Sequence, residues 1–289
     1  MSLVQLGRPP SGRALGLAAA PGDRAAFARR TVAFTSGKGG VGKSTVAVNV
    51  ACALAQRGLR VGLLDADVHG PSVPRMLGLD GERVRWEDGP GGRMIPAENF
   101  GLRVMSVGLT TAEADTPLVW RSSVATAAVV QLVEDVAWGP LDVLAVDLPP
   151  GTGDVQITLA EELRLAAAVV VTTPQPVATD DVARAIRMLR ESGVPVAGVV
   201  ENMSALVLPD GTVLRPFGQG GGRRLAGTYG VPFLGEIPLD PVLREAADEG
   251  RPIAATGTDA QRVIFANLAA ALADALHLGP ARATDHPRP

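Results

Sequence analysis

The chain has 289 residues, of which 46% are hydrophobic and 20% charged, enough for one large α/β domain or two smaller ones with a sizeable core. Its net charge of -3 argues against a partner held by bulk positive charge, so nucleic acid is not expected. The single cysteine, Cys52, excludes an intrachain disulfide and any four-cysteine metal site built by one chain, and it fits a reducing, cytoplasmic setting.

Residues 1–29 are rich in Ala, Gly, Pro and Arg without a long apolar centre, so they read as a flexible lead-in and not as a signal peptide. Nothing approaches about 18 consecutive apolar residues, and no membrane partner is expected. Residues 278–289 read as a disordered tail, which leaves 30–277 as one domain. From Thr31 onward, short β-rich runs alternate with helix-like stretches. That is the pattern of an α/β fold with a doubly wound, mostly parallel sheet flanked by helices.

The first strand, TVAFTS (31–36), runs into SGKGGVGKST, where Gly37, Gly42, Lys43 and Ser44 satisfy G-x-x-x-x-G-K-[ST] between a strand and a helix. Glycines let backbone N–H groups turn inward around phosphate oxygens, and the following helix aims its positive end at the same anion. Lys43 would reach the β and γ phosphates, and the Ser44 hydroxyl would ligate Mg²⁺. The helix at 43–57 stops where Gly58 supplies a C′ residue. Within it, Cys52 falls among Val46, Val50 and Leu54 at helical spacing, as a small core residue.

The second strand, 60–65, places Asp65 and Asp67 at its carboxyl end, where ligands bind in open α/β sheets; either could serve the site or cap a turn. His69, without a second ligand at metal spacing, reads as a turn or packing residue. The polar, turn-rich stretch 78–101 reads as a surface excursion. Further strands are expected at 102–107, 142–147, 168–173, 196–201 and 232–237, and helices at 122–137, 154–166, 178–192, 219–229 and 258–277, with Gly193 a second C′ glycine. Asp147 ends the 142–147 strand, in a position to hold Mg²⁺ directly or through water.

Glu201 and Asn202 close the 196–201 run, and both are assigned to the nucleotide site. The Asn202 amide can pair with the exocyclic amine and ring nitrogen of adenine, and Pro238 and Asp240 can add contacts from a loop. Between them, ALVLPDGTVLRPFG has Pro209-Asp210-Gly211 at the tip of a loop or hairpin. FGQGGGRRLA (217–226) is a second glycine-rich helix start, but it lacks Lys-Ser/Thr and reads as a plain loop into a helix.

The extra Lys38, giving K-G-G-V-G-K-S, resembles the deviant Walker A family of dimeric ATPases, which includes the MinD, ParA, ArsA, nitrogenase iron protein and Mrp groups. TSGKGGVGKSTVAVNVACALA, LLDADVHGPSVPRMLG, DLPPGTGD, TTPQPVATDDVARAI, VENMS and VPFLGEIPLDPVLREAADEGRPI together resemble the Mrp (ApbC) iron-sulfur carrier group, over about residues 30–270. The resemblance implies a P-loop NTPase fold, ATP and Mg²⁺ as cofactors, a homodimer, slow dimer-dependent hydrolysis, and client or scaffold proteins of iron-sulfur assembly.

It also implies residue roles. Gly37, Lys38, Gly39, Gly40, Val41, Gly42, Lys43, Ser44 and Thr45 would cradle the nucleotide, with Asn202, Pro238 and Asp240 around the base. Lys38 would cross to the partner's phosphates in the manner of an arginine finger. Asp67, in switch I, would position the attacking water or the metal, and Ser44, Asp67 and Asp147 would hold Mg²⁺. Pro149, Gly151, Thr152, Gly153 and Asp154 would form switch II.

Members of the group carry a Cys-x-x-Cys just after E-N-M-S, and two protomers pool these thiolates around a [4Fe-4S] cluster. Here that position offers no Cys, His or other soft ligand, so the cluster is implied only by resemblance and its ligands are missing. The alternative is a MinD- or ParA-like positioning switch without a metal. DAQRVIFANLAAALADALHLG lacks the basic amphipathic face that would bring a MinD-type protein to a membrane.

Overall fold

The computed structural model describes residues 27–89, 91–110 and 122–279; most of the expected lead-in and tail lies outside them. β1 (Ala28–Ser36) leads through the glycine loop into α1 (Lys43–Gln56) and β2 (Val61–Asp65). A short α2 (Val73–Met76) precedes β3 (Arg85–Trp86), β4 (Met94–Ile95), β5 (Ala97–Asn99) and β6 (Leu102–Ser106). Then come α3 (Val107–Thr110), α4 (Ser122–Glu134), β7 (Leu141–Asp147), α5 (Asp154–Glu162), β8 (Ala167–Thr172), α6 (Pro176–Glu191) and β9 (Val196–Asn202). The chain continues through β10 (Leu206–Val207), β11 (Val213–Leu214), α7 (Gly221–Tyr229), β12 (Phe233–Ile237), α8 (Pro241–Asp248), α9 (Ile253–Thr256) and α10 (Asp259–Ala275).

Eight strands form one sheet in the order β12-β9-β8-β1-β7-β2-β6-β5. Every pair is parallel except β5 with β6. β2, β7 and β8 are buried at every residue, which is why their sequences are apolar in succession and do not alternate. Side chains nevertheless point to the two faces in turn. Val32 and Phe34 of β1 join a core with Val46, Val50 and Leu54 of α1 and Phe265, Leu268 and Leu272 of α10. Ala33 joins the opposite core, with Val129 and Leu132 of α4, Leu159 of α5, Ile186 of α6 and Leu225 of α7. Gly58 and Gly193 follow α1 and α6 at φ 83° and 70°, the left-handed stop expected of C′ glycines.

The stretch 78–101 departs from a pure surface excursion. β3 and β4 pair as an antiparallel ribbon, β5 extends the main sheet, and Met94 is fully buried. These strands are two or three residues long, too short for any periodicity to show in the sequence. The ALVLPDGTVLRPFG segment does form a hairpin: β10 pairs with β11, and Leu208 N–H donates to the Thr212 carbonyl at 2.9 Å across the tip. Among the described residues no helix is long and apolar enough to cross a membrane.

Candidate nucleotide site

The carboxyl ends of β1, β2, β7 and β9 gather the residues singled out in the sequence. The glycine loop leaves β1 and turns into α1 with Gly40 and Gly42 at φ 80° and 81°, a left-handed conformation that favours glycine. A Cβ on Gly39 or Gly40 would meet nothing within 4 Å, and both residues are exposed, so this part of the loop is open to solvent. The start of the loop is more tightly held. A Cβ on Gly37 would fall 2.3 Å from the Asp181 carbonyl carbon, because α6 packs directly against it. Lys38 is partly exposed, and its carbonyl accepts the Ser36 hydroxyl at 2.9 Å. The Thr45 carbonyl accepts the Asn49 amide at 2.9 Å inside α1.

Lys43 is buried, and its Nζ donates to Asp147 Oδ1 at 2.5 Å and to Ser44 Oγ at 3.3 Å. Asp147 is fully buried, and its other oxygen, Oδ2, has no hydrogen-bond partner among the described residues. Burial raises the Asp147 carboxyl, while the Lys43 charge and the Ser44 hydroxyl pull the other way. Asp65 stands opposite Asp147 on the adjacent strand and is also fully buried. Its carboxyl is pushed up to about 7, first by burial and then by the Asp147 charge, as expected of neighbouring carboxylates that resist ionising together.

The two aspartates of the 65/67 pair separate in role. Asp65 is a bolt: Oδ1 accepts the Asp67 N–H at 3.2 Å, and Oδ2 accepts the Val73 N–H at 3.2 Å and the Ser106 hydroxyl at 3.1 Å. Asp67 is half-buried, with Oδ1 held by the His69 N–H at 3.3 Å. His69 itself is exposed on this turn.

β9 ends with two neighbours facing opposite layers. Asn202 donates Nδ2–H to the Val41 carbonyl at 2.8 Å, so its amide braces the glycine loop from below. The fit is close: a Cβ on Gly42 would lie 2.2 Å from that nitrogen. The second N–H of the same amide makes no hydrogen bond among the described residues. Glu201 corrects the sequence reading that grouped it with the nucleotide site. It points to the other face, where Oε1 and Oε2 accept the N–H groups of Gly220 and Gly222 at 3.2 and 2.6 Å. A buried carboxylate thus occupies the start of α7, which explains why the second glycine-rich turn is not a phosphate cradle.

The 238–240 loop is tied to the same strand end. Leu239 N–H donates to Ala205 O at 2.8 Å and Ser204 N–H to Ile237 O at 3.0 Å, which places Pro238 beside the root of the hairpin. Asp240 caps α8 through Val242 N–H at 2.8 Å and accepts Gln261 Nε2 at 2.8 Å.

Residues 28–273 match the ParA family, described as the NUBPL iron-transfer P-loop NTPase. The chain belongs to this family. It is 49% identical over 234 residues to the iron-sulfur cluster carrier protein of Aquifex aeolicus, covering 81% of this chain and 64% of that one. The chain therefore spans about two thirds of that relative's length. Among solved structures, the nucleotide-binding protein of Archaeoglobus fulgidus in complex with ADP has a TM-score of 0.69 at 37% identity, over 78% of this chain and 88% of that one. The cell division ATPase MinD of Pyrococcus furiosus, at 21% identity and a TM-score of 0.62 over 85% and 98%, shares the fold.

For a member of this iron-transfer NTPase family, the donor set suits one group and not another. A magnesium nucleotide fits the open glycine cradle, the buried Lys43, the Ser44 hydroxyl and the unpartnered Asp147 Oδ2. A resident iron-sulfur cluster does not fit. Among the described residues no three His, Cys, Asp or Glu side chains gather as a metal site. Cys52, the one thiol of the chain, is fully buried in α1, and burial pushes its pKa up to about 12, which leaves no thiolate to bind metal.

The sequence reading passed over Gln156. It is buried on the first turn of α5, accepts Gly153 N–H at 3.0 Å and donates to Pro150 O at 2.7 Å, fixing the 149–153 turn. Gly151 of that turn donates its N–H to Ser36 O at 3.0 Å, tying the turn to β1. The signal was present: Gln three residues after a helix N-cap is half of a capping box. Asp181 gave none, since its closeness to Gly37 is purely tertiary.

Proposed function

We propose that the chain is a cytoplasmic, homodimeric ATPase of the iron-transfer type that acts as a nucleotide-timed switch and holds no cluster of its own. One domain, residues 30–277, carries this activity. The reading is carried by the buried Lys43–Asp147 pair at 2.5 Å beside the open cradle. Lys43 is already desolvated and charge-balanced, so it can exchange Asp147 Oδ1 for phosphate oxygens. That exchange leaves both Asp147 oxygens and the Ser44 hydroxyl to hold Mg²⁺. When bound, Mg²⁺ supplies charge neutralisation on the β and γ phosphates. Asn202 binds the base with its remaining N–H, and Pro238 and Asp240 border it. Asp67, whose carboxylate accepts one hydrogen bond from its own turn among the described residues, positions the attacking water, and Lys38 reaches the partner's nucleotide. The clients are proteins of iron-sulfur assembly, with thiolates supplied by the client.

Titration calorimetry with MgATP and phosphate release by wild type, Lys43→Ala, Asp67→Ala and Lys38→Ala test the catalytic half. ATP binding is expected to vanish in the first variant, while turnover falls in the other two with binding kept. Anaerobic reconstitution with iron and sulfide tests the cargo half: iron bound in stoichiometric amount by the purified dimer would refute it. ATP-dependent pelleting with vesicles or DNA would instead support a positioning switch.

A further inference from the structure

α6 and α7 carry five exposed arginines, Arg184, Arg187, Arg190, Arg223 and Arg224, on a chain of net charge -3. Arg184 is paired with Asp181. The other four are held by neutral groups. Arg187 donates to the Tyr229 hydroxyl at 3.0 Å, and Arg190 donates to the Tyr229 carbonyl at 2.5 Å with its guanidinium 5.8 Å from that ring. Arg223 lies 4.3 Å over the Phe233 ring, and Arg224 donates to the Gln219 carbonyl at 2.8 Å. A guanidinium has five N–H donors, so each of these contacts fixes the plane and leaves donors for a ligand. Stacking on an aromatic ring does the same without using any donor.

Arg223 and Arg224 also line an open cavity of about 430 Å³ with Gln219, Gly220 and Glu236. It lies against β12, the terminal strand of the sheet. Glu236 is exposed and forms no ion pair with either arginine among the described residues, so the cavity lining keeps an excess of one positive charge and both guanidiniums keep donors for a ligand.

We propose that this α6–α7 face docks an acidic segment of a partner protein. Asp or Glu carboxylates of that segment enter the cavity at Arg223 and Arg224, and others reach Arg187 and Arg190 at the α6–α7 seam. The planar fork of arginine matches a carboxylate two bonds at a time. Charge decides against a nucleic acid. Glu191 at the end of α6 and Glu236 at the cavity are both exposed, and they interrupt the patch where a continuous polyanion would need unbroken positive surface. A short acidic segment can thread its carboxylates between them.

The test uses the full chain and a fluorescein-labelled oligoglutamate peptide, read by fluorescence anisotropy at low and moderate salt. Saturable binding that weakens with salt is expected, because the contacts lie at the surface. The Arg223→Glu/Arg224→Glu variant should weaken it by about tenfold or more, with MgATP affinity unchanged, since neither residue borders the glycine cradle. The milder Arg223→Gln/Arg224→Gln pair carries the test if charge reversal perturbs folding, and it should lose several-fold. No saturable binding, equal binding by the folded variants, or tighter binding of a short DNA duplex at the same ionic strength would each overturn the proposal. MgATP binding is measured separately, so failure of the nucleotide reading and failure of this one are distinguishable.

Discussion

Replacing Gly42 by alanine tests the contact between the glycine loop and Asn202 at the end of β9. The residue has φ 81°, and a Cβ there would lie 2.2 Å from Asn202 Nδ2. The left-handed backbone alone costs a non-glycine residue about 1–2 kcal/mol. Relieving the overlap means moving the amide or the loop, with an overpacking cost of about 1–3 kcal/mol. The 2.8 Å bond from Asn202 to Val41 O is lost as well, worth about 1 kcal/mol when buried.

Gly42→Ala should therefore destabilise the nucleotide-free protein by about 3–6 kcal/mol. In an Asn202→Ala background the obstructing amide is gone, so the same change should cost only the backbone part, about 1–2 kcal/mol. Guanidinium chloride unfolding of wild type, both single variants and the double variant gives the cycle, with an expected coupling of about 2–4 kcal/mol. Additivity within about 0.5 kcal/mol would show that Asn202 does not brace the loop.

Three other outcomes follow from the same geometry. Glu201→Ala strands the N–H groups of Gly220 and Gly222 and should cost about 2–3 kcal/mol of stability without changing ATP affinity; an ATP defect at full stability would place Glu201 back in the nucleotide site. Asp142 is lowered from 3.8 to about 2, chiefly by hydrogen bonds from the Arg60 side chain and backbone. Its stabilisation is therefore complete above pH 4 and lost as pH falls from about 4 towards 2. Unscreened, this lowering would be worth about 2.5 kcal/mol; with Arg60 50% exposed it should measure about 1 kcal/mol, and Asp142→Asn should flatten the acid limb of the unfolding curve. Finally, with its pKa near 12, only about one Cys52 in ten thousand is thiolate at pH 8. Alkylation should proceed at the rate of unfolding, and rapid labelling of the native protein would contradict the buried assignment.

Most of the sheet was legible because its strands are buried on both faces and announce themselves as apolar runs, and because Gly58 and Gly193 punctuate the helices. The phosphate loop was legible for a similar reason: its chemistry is carried by contiguous residues. What stayed hidden depends on contacts distant in sequence. Nothing around Glu201 indicates that its carboxylate meets backbone N–H groups 19 and 21 residues later. Asp65 and Asp67 look equivalent in D-A-D, yet strand pairing with β7 buries the first beside Asp147 and leaves the second on a turn. α2, α3 and α9, each of four residues, are too short for a hydrophobic period to develop.

The alternation at the end of β9 makes the protein unusually intolerant of a change in strand length. Within a strand, a slip of one residue turns every side chain to the opposite face. A one-residue insertion before Val200 would bring the Glu201 carboxylate to the register beneath the glycine loop and Val200 to the start of α7, whereas a one-residue deletion there would bring the Asn202 amide to the start of α7 and Met203 beneath the loop. Either change removes both anchors at once: the amide that braces the Val41 carbonyl and the carboxylate that accepts the N–H groups opening α7. Lengthening of this region is better accommodated in the hairpin at 205–217, beyond both anchors, where the backbone can grow without moving either side chain.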